Sequence, residues 1–421
     1  MQQLMPAVAL TIGVALVASI LVVVPYLSLD APTPNMPRRV FALDPHKYYG
    51  RSTSDEPVTM KALKPADLRP NSFVWFLDPY GKTMQKLGDN KTEITLNKQT
   101  EELFQNRDAY ENYMLIRLPE WMGGEKGDTS ALRAYHAISL SDMCISRYFG
   151  DDGRWRIENP CAGDMYRPWD GCAFAGPASA GTIGFVPSKG FYPALQKMRL
   201  ATDNEGYVVA FRPDTSPQAD GSQGEGRKMS PADLEESNRA LIAEEGRYLG
   251  YALPFPPSVQ GYRLAELGPA GAGAGQWQVA LGGGHNGPRE AVYSSDNNNY
   301  YYRSVTMDVF SLRQFPDMAL GGPMARASGS GYTINSTLAS SLLYLDYGQA
   351  GSGPPLQMKN WTDVAGDYAL LVANEDRAGA LVWGRSADGR TDILVSINAR
   401  DATIDDLVQF VKALNISHKS Q

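Results

Sequence analysis

The sequence predicts a mainly β protein: an N-terminal transmembrane helix, then an antiparallel β domain, then a second β-rich domain of α+β character. Three observations carry this. Forty-one Gly and 28 Pro in 421 residues demand many turns. Short apolar runs rich in β-branched and aromatic residues, such as SFVWFLD and YMLIRLP, recur between turn signals and read as strands. The first charged side chain is Asp30, so residues 1–29 carry none. A hydrophobic content of 43% is enough to build real cores, which excludes wholesale disorder.

Residues 5–24 are a run of mostly Ala, Val, Leu and Ile, and roughly 20 such residues span a bilayer core. The alternative is a cleaved signal peptide. Against it stand the missing basic n-region and the missing small-x-small site before Pro25. Residues 1–29 are therefore read as an uncleaved anchor. Arg38 and Arg39 follow the span with nothing basic before it, which by the positive-inside rule favours a cytoplasmic bulk. Long soluble domains override such small asymmetries.

Residues 30–70, Pro-rich and polar, read as a tether. Residues 71–211 form the first β domain. Residues 212–251 are a polar linker followed by a helix. In that helix Ser230 is the N-cap, Pro231 the first helical position and Asp233 a first-turn acid. Leu234, Leu241 and Ile242 share a face, and Gly246 or Gly250 ends it. Residues 252–421 are the second domain, in which SADGR (residues 386–390) is a hairpin signal. Its closing helix presents Ile404, Leu407, Val408, Val411 and Leu414 on one face.

The charge balance is 39 basic against 46 acidic residues, a net −7, which argues against a nucleic-acid partner. Three cysteines cannot supply a disulfide-rich scaffold or an all-Cys metal site. His46, His136, His285 and His418 are scattered, with no two at ligand spacing. No Gly-x-Ser-x-Gly or His-Glu-x-x-His motif is present, and no carboxylate pair stands out as catalytic.

Three segments taken in order are more specific. AYHAISLSDMCISRYFG (residues 134–150) is a strand running into a Cys-bearing loop. ENPCAGDMYRPWDGCAFAGPASAG (residues 158–181) is a second Cys-bearing loop, then an Asp-Gly turn, then Gly-Pro-Ala. YPALQKMRLATDNEGYVVAF (residues 192–211) closes as a hairpin. The order resembles the Rieske iron–sulfur domain of quinol–cytochrome c reductases and cytochrome b6f-type complexes. In that family the first loop reads Cys-x-His-x-x-Cys and the second Cys-x-Cys-His-Gly. The anchor and tether fit the same family, and the resemblance covers about residues 70–211.

The resemblance implies a [2Fe-2S] cluster held by two thiolates on one iron and two imidazoles on the other. Carried over position by position, Cys144 matches the first thiolate and Ser146 stands at the first imidazole. Phe149 stands at the first loop's second cysteine. Asn159 stands at the second thiolate, Cys161 matches the second loop's disulfide cysteine, and Ala162 stands at the second imidazole. One ligand of four survives, so the expectation is a Rieske-like β domain without its cluster, no other cofactor and no metal. If the fold is kept, Cys144 and Cys161 lie on facing loop tips within disulfide range, with Cys172 the free thiol. Three buried free cysteines are the alternative.

The resemblance further implies an extracytoplasmic, single-pass membrane protein without catalysis of its own. Cytochrome b-type or other electron-transfer subunits would be its partners, and its role structural or in assembly. A working electron carrier, with its cluster held in some other way, and a free-standing envelope binding protein are the competing readings.

Overall fold

The computed structural model describes residues 36–43, 59–87, 92–96, 98–150, 154–180, 191–213, 226–269, 287–295, 304–314, 357–361, 368–373 and 377–417. The expected anchor, residues 1–29, lies outside them. Among the described residues no helix is long and apolar enough to cross a membrane. The chain divides into two units, Met1–Pro37 and Arg38–Gln421.

The larger unit is mainly β. One antiparallel sheet of seven strands runs in the order Lys197–Met198, Leu132–His136, Asn112–Arg117, Ser72–Leu77, Phe41–Leu43, Thr59–Ala62, Glu93–Thr95. Its strand Asn112–Arg117 is buried at all six positions. Met114 and Ile116 enter one core and Tyr113 and Leu115 another, so the strand is covered on both faces and loses the usual in–out alternation. A four-stranded sheet, Ala173–Ala175, Met165–Tyr166, Arg156–Glu158, Arg147–Phe149, carries the Cys-bearing loops.

Residues 36–43 and 59–70 differ from the expected tether. Arg38–Arg39 pairs with Val208–Ala210, and Phe41–Leu43 pairs with both Thr59–Ala62 and Ser72–Leu77. Val40, Phe41, Leu43 and Met60 are buried, so this stretch completes the sheet. Strands of two to four residues among prolines show too little alternation to be read as strands.

Part of the expected linker is also ordered. Gly226–Met229 pairs with Tyr192–Leu195. The following helix, Pro231–Leu249, starts at Ser230, whose side chain accepts a hydrogen bond from the Asp233 N–H in a capping box. Gly250, at φ 82°, closes it in the left-handed conformation that glycine adopts without strain. Leu234, Leu241 and Ile242 are buried as the periodicity requires, and so are Asn238 and Glu245, which it does not foretell.

The last sheet contains Tyr262–Pro269, Arg289–Ser295, Ser304–Ser311, Asp392–Arg400, Arg377–Ser386, Tyr368–Ala373 and Gln357–Trp361 in that order, with Ile416–Ser417 beside Arg377–Ser386. Ser304–Ser311 alternates strictly, with Val305, Met307 and Val309 inward. The hairpin at residues 386–390 joins Arg377–Ser386 to Asp392–Arg400, with Gly389 at φ 69°. Helix Ile404–Ala413 buries Leu407, Phe410 and Val411 against this sheet. Phe410 packs edge-on between Tyr262 and Tyr293, at 5.0 and 5.1 Å. Leu118, Trp121, Met122 and Trp169 share one core with Leu241, Ile242 and the last sheet.

Candidate functional site

The first Cys-bearing loop leaves strand Leu132–His136 and folds back on itself. Ile138 bridges Ile145, the Ser146 N–H donates to the Ala137 carbonyl (2.8 Å), and the Ser139 N–H donates to the Cys144 carbonyl (3.0 Å). At the tip the Asp142 carboxylate accepts from the Cys144 N–H at 2.9 Å. The second loop joins Arg156–Glu158 to Met165–Tyr166. The Asn159 N–H donates to the Asp164 carbonyl (2.9 Å), and the Gly163 N–H to the Asn159 carbonyl (3.0 Å). Gly163 sits at φ 76° with open space around its absent Cβ.

Two links join the loops. Cys144 and Cys161 form a disulfide, Cα–Cα 6.2 Å, within the range such bonds need. Asn159 Nδ2 donates to Asp142 Oδ1 at 3.0 Å, while Asn159 Oδ1 accepts from the Cys161 N–H at 2.9 Å. Cys172 is free and buried; burial pushes its thiol up from the ordinary range.

Beneath the tips lies a polar hub. Asp164 is fully buried. Its Oδ2 accepts from Ser139 Oγ (2.5 Å), from Ser141 Oγ and from Asn159 Nδ2 (3.2 Å), and its Oδ1 accepts from the Ala178 N–H (2.8 Å). The Tyr166 hydroxyl lies 2.9 Å from Ser139 Oγ and accepts from the Leu140 N–H at 3.0 Å. Burial, helped by the neighbouring Asp164 charge, raises the Tyr166 phenol well above its ordinary range. Every strong acceptor here is occupied, as buried polar groups require.

The sequence-derived positions fall unequally around this clasp. Cys144 and Asn159 meet at it through Asp142. Ala162 is at the second tip and has no donor atom. Ser146 lies at the base of the first loop, fully buried, with its Oγ unpaired. Phe149 is in strand Arg147–Phe149, its ring in contact with the guanidinium groups of Arg147 (4.2 Å) and Arg154 (3.9 Å). His136 is equally remote: Nε2 contacts the Tyr110 carbonyl at 3.0 Å, the ring stacks with Tyr110, and burial pushes its pKa down to about 4.

This donor set does not fit a [2Fe-2S] cluster. Such a cluster needs thiolates and imidazoles. Cys144 and Cys161 spend their sulfurs on each other, Asn159 spends its amide on Asp142, Asp164 and Cys161, and Ala162 offers nothing. Among the described residues no group of three or more His, Cys, Asp or Glu side chains could hold a metal ion.

Two buried ionic clusters escaped the sequence reading. Arg167, 1% exposed, pairs with Asp170 through both Nε and Nη2. Its Nη1 donates to Asn238 Oδ1 (2.7 Å) and to the Leu264 carbonyl (2.6 Å). Arg289 pairs with Glu245 in the last core, where burial raises the Glu245 carboxyl to about 7 and Arg289 opposes the rise. Arg and Asp at i and i+3 in RPWD were the one available signal for the first; the second had none.

No family model matches the chain, and no curated protein does. Solved structures similar to it include the terminal oxygenase of carbazole 1,9a-dioxygenase from Novosphingobium sp. KA1. The identity is 10% and the TM-score 0.22, over 83% of this chain and 75% of that one. The quaternary ammonium Rieske monooxygenase CntA in complex with an inhibitor is similar at 8% identity and TM-score 0.22, over 87% and 77%. Superpositions of this extent carry no argument about fold or chemistry.

Proposed function

We propose that the chain is a membrane-anchored, Rieske-like subunit without a [2Fe-2S] cluster, acting as a structural or assembly subunit of a respiratory or photosynthetic electron-transfer complex. The observation that carries this reading is the clasp. Two Cys-bearing loops, in the order and setting of a cluster-binding pair, are joined by Cys144–Cys161 and by Asn159–Asp142. A disulfide between loop tips suits an oxidising compartment, and with it an extracytoplasmic location. Residues 1–29 supply the anchor, and cytochrome b-type or related subunits are the partners. The chain contributes a surface and not a redox centre.

The test is purification of the full chain from native membranes in mild detergent. Stoichiometric co-purification with a haem protein supports the proposal. Recovery of the chain alone replaces it with a free-standing envelope binding protein.

A further inference from the structure

Helix Pro231–Leu249 ends on Gly250, and the chain then runs back against it. A Cβ on Gly246 would stand 2.9 Å from the Tyr251 carbonyl, so the return lies tight on the last turn. The Asn415 N–H donates to the Pro254 carbonyl at 3.0 Å. The Ala252 N–H donates to Asp388 Oδ2 at 3.1 Å, which fixes the hairpin at residues 386–390 to the same segment. Between helix, returning segment and hairpin lies an open cavity of about 550 Å³. That is the size of a small-molecule site.

Two kinds of surface line it. Ile242, Leu253 and Phe255, all buried, give apolar walls, and the small Ala243 and Gly246 leave the space open on the helix side. Arg239, Arg247 and Arg390 line it as well, and Asp388 is the one carboxylate among the described lining residues.

The guanidinium groups are paired, but incompletely. Arg239 meets Glu235 and Arg247 meets Glu244, each through Nη2. Neither acid lines the cavity, and Glu244 is shared with Lys126 Nζ at 2.9 Å. Asp388 already accepts from Ser386 Oγ (2.6 Å) and from the Ala252 and Arg390 N–H groups (3.1 and 3.3 Å). Arg390 Nε stands 3.6 Å from it, the longest of the three pairs. A guanidinium carries five N–H donors, so most of Arg390's are unspent. Ion pairs this exposed contribute little, so a ligand can share them at small cost. The Gly246 and Arg247 carbonyls, which would repel an anion, accept from the Gly250 and Tyr251 N–H groups.

Apolar walls beside cations with donors to spare match an amphiphile with an anionic head. We propose that this cavity binds a free fatty acid. The acyl chain packs on Ile242, Leu253 and Phe255, and the carboxylate accepts from Arg390, whose planar fork matches its two oxygens. The site uses no residue of the clasp and does not rest on the proposed complex.

The experiment uses the full chain in amphipol, a photoactivatable diazirine analogue of palmitate, irradiation and peptide mapping. Label is expected on the peptides that hold residues 239–257 and 388–390, with palmitate competing. Ala243→Trp, at an exposed helix position, should fill the cavity and abolish that label with an unchanged circular dichroism spectrum. Arg390→Gln should weaken competition by palmitate about tenfold, the loss of a charge-assisted hydrogen bond, and leave competition by hexadecanol unchanged. Label confined to other peptides, or unaffected by Ala243→Trp, would overturn the site. Hexadecanol competing as well as palmitate, or Arg390→Gln without effect, would overturn the carboxylate as the recognised group. Lysophosphatidylglycerol competing as well as palmitate would overturn the free acid in favour of a membrane lipid.

Discussion

Cys144 and Cys161 are bonded across two loops whose tips are also joined by a hydrogen bond from Asn159 to Asp142. The two links use different atoms, so each can be removed by substitution, but they are coupled: Asp142 and Asn159 also accept from the Cys144 and Cys161 N–H groups. Their separation of 17 residues sets the entropy that the bond withholds from the unfolded chain.

Cys161→Ser should therefore cost about 3 kcal/mol, less if the oxidised form carries strain. The loops should remain folded on their Asn159–Asp142 contact and the Asp164 hub. Urea unfolding of the two proteins measures the difference. Peptide mapping without reductant should return Cys144 linked to Cys161, with Cys172 alkylated only after denaturation. Three thiols alkylated in the native protein would refute the clasp.

Asp164→Ala should be more damaging than the loss of the disulfide. It removes the acceptor shared by Ser139, Ser141, Asn159 and the Ala178 N–H; Ser139 and Asn159 keep Tyr166 and Asp142, while the Ala178 N–H is left unsatisfied, and each unsatisfied buried group costs about 1–3 kcal/mol. Asp164→Asn should retain part of the network and cost less. Thermal denaturation of both variants ranks them, and equal melting temperatures would dismiss the hub as the organiser of the loops.

His136 gives the protein an acid-sensitive core. Its pKa is about 4 when folded, because burial disfavours the cation. Unfolded, it reverts to about 6.5, so the unfolded chain takes up the proton first as pH falls. Stability from this group is complete above pH 6.5 and is lost progressively down to about pH 4, by about 3 kcal/mol in all. Glu245, raised to about 7, acts with the opposite sign, its contribution fading as pH rises. The measurement is therefore the difference in unfolding free energy between the unaltered chain and His136→Phe from pH 7 to pH 4. That difference should shift in favour of His136→Phe as pH falls, and a flat difference would contradict the assignment.

The helix caps make a smaller test. Ser230→Ala and Thr403→Ala each remove a side chain that accepts from the third helical N–H, and each should cost about 1 kcal/mol by denaturant titration. No measurable change in either would show that these caps do not stabilise their helices.

These caps belong to what could be read in advance. Ser230, Pro231 and Gly250 mark a helix by chemistry that acts within a few residues, and residues 386–390 mark a hairpin in the same way. The strands at Arg38–Arg39, Phe41–Leu43 and Thr59–Ala62 could not be read. Their pairing partners lie far along the chain, and two to four residues hold no period. Phe410 was left off the apolar face of the last helix, although it fills the gap between Tyr262 and Tyr293. At the loops, the cysteines and altered ligand positions were visible because they depart from a motif. Asp164, Asp142 and the Arg167–Asp170–Asn238 cluster were not, since a polar residue shows its burial only through its partners in space.

Under the proposed function the paired loops close on themselves instead of on a metal cluster. Iron and acid-labile sulfide determined on the full chain purified anaerobically from native membranes, with a low-temperature EPR spectrum of the reduced protein, test it most directly. Substoichiometric iron and sulfide and no Rieske-type signal are expected. Two irons and two sulfides per chain with that signal would contradict it.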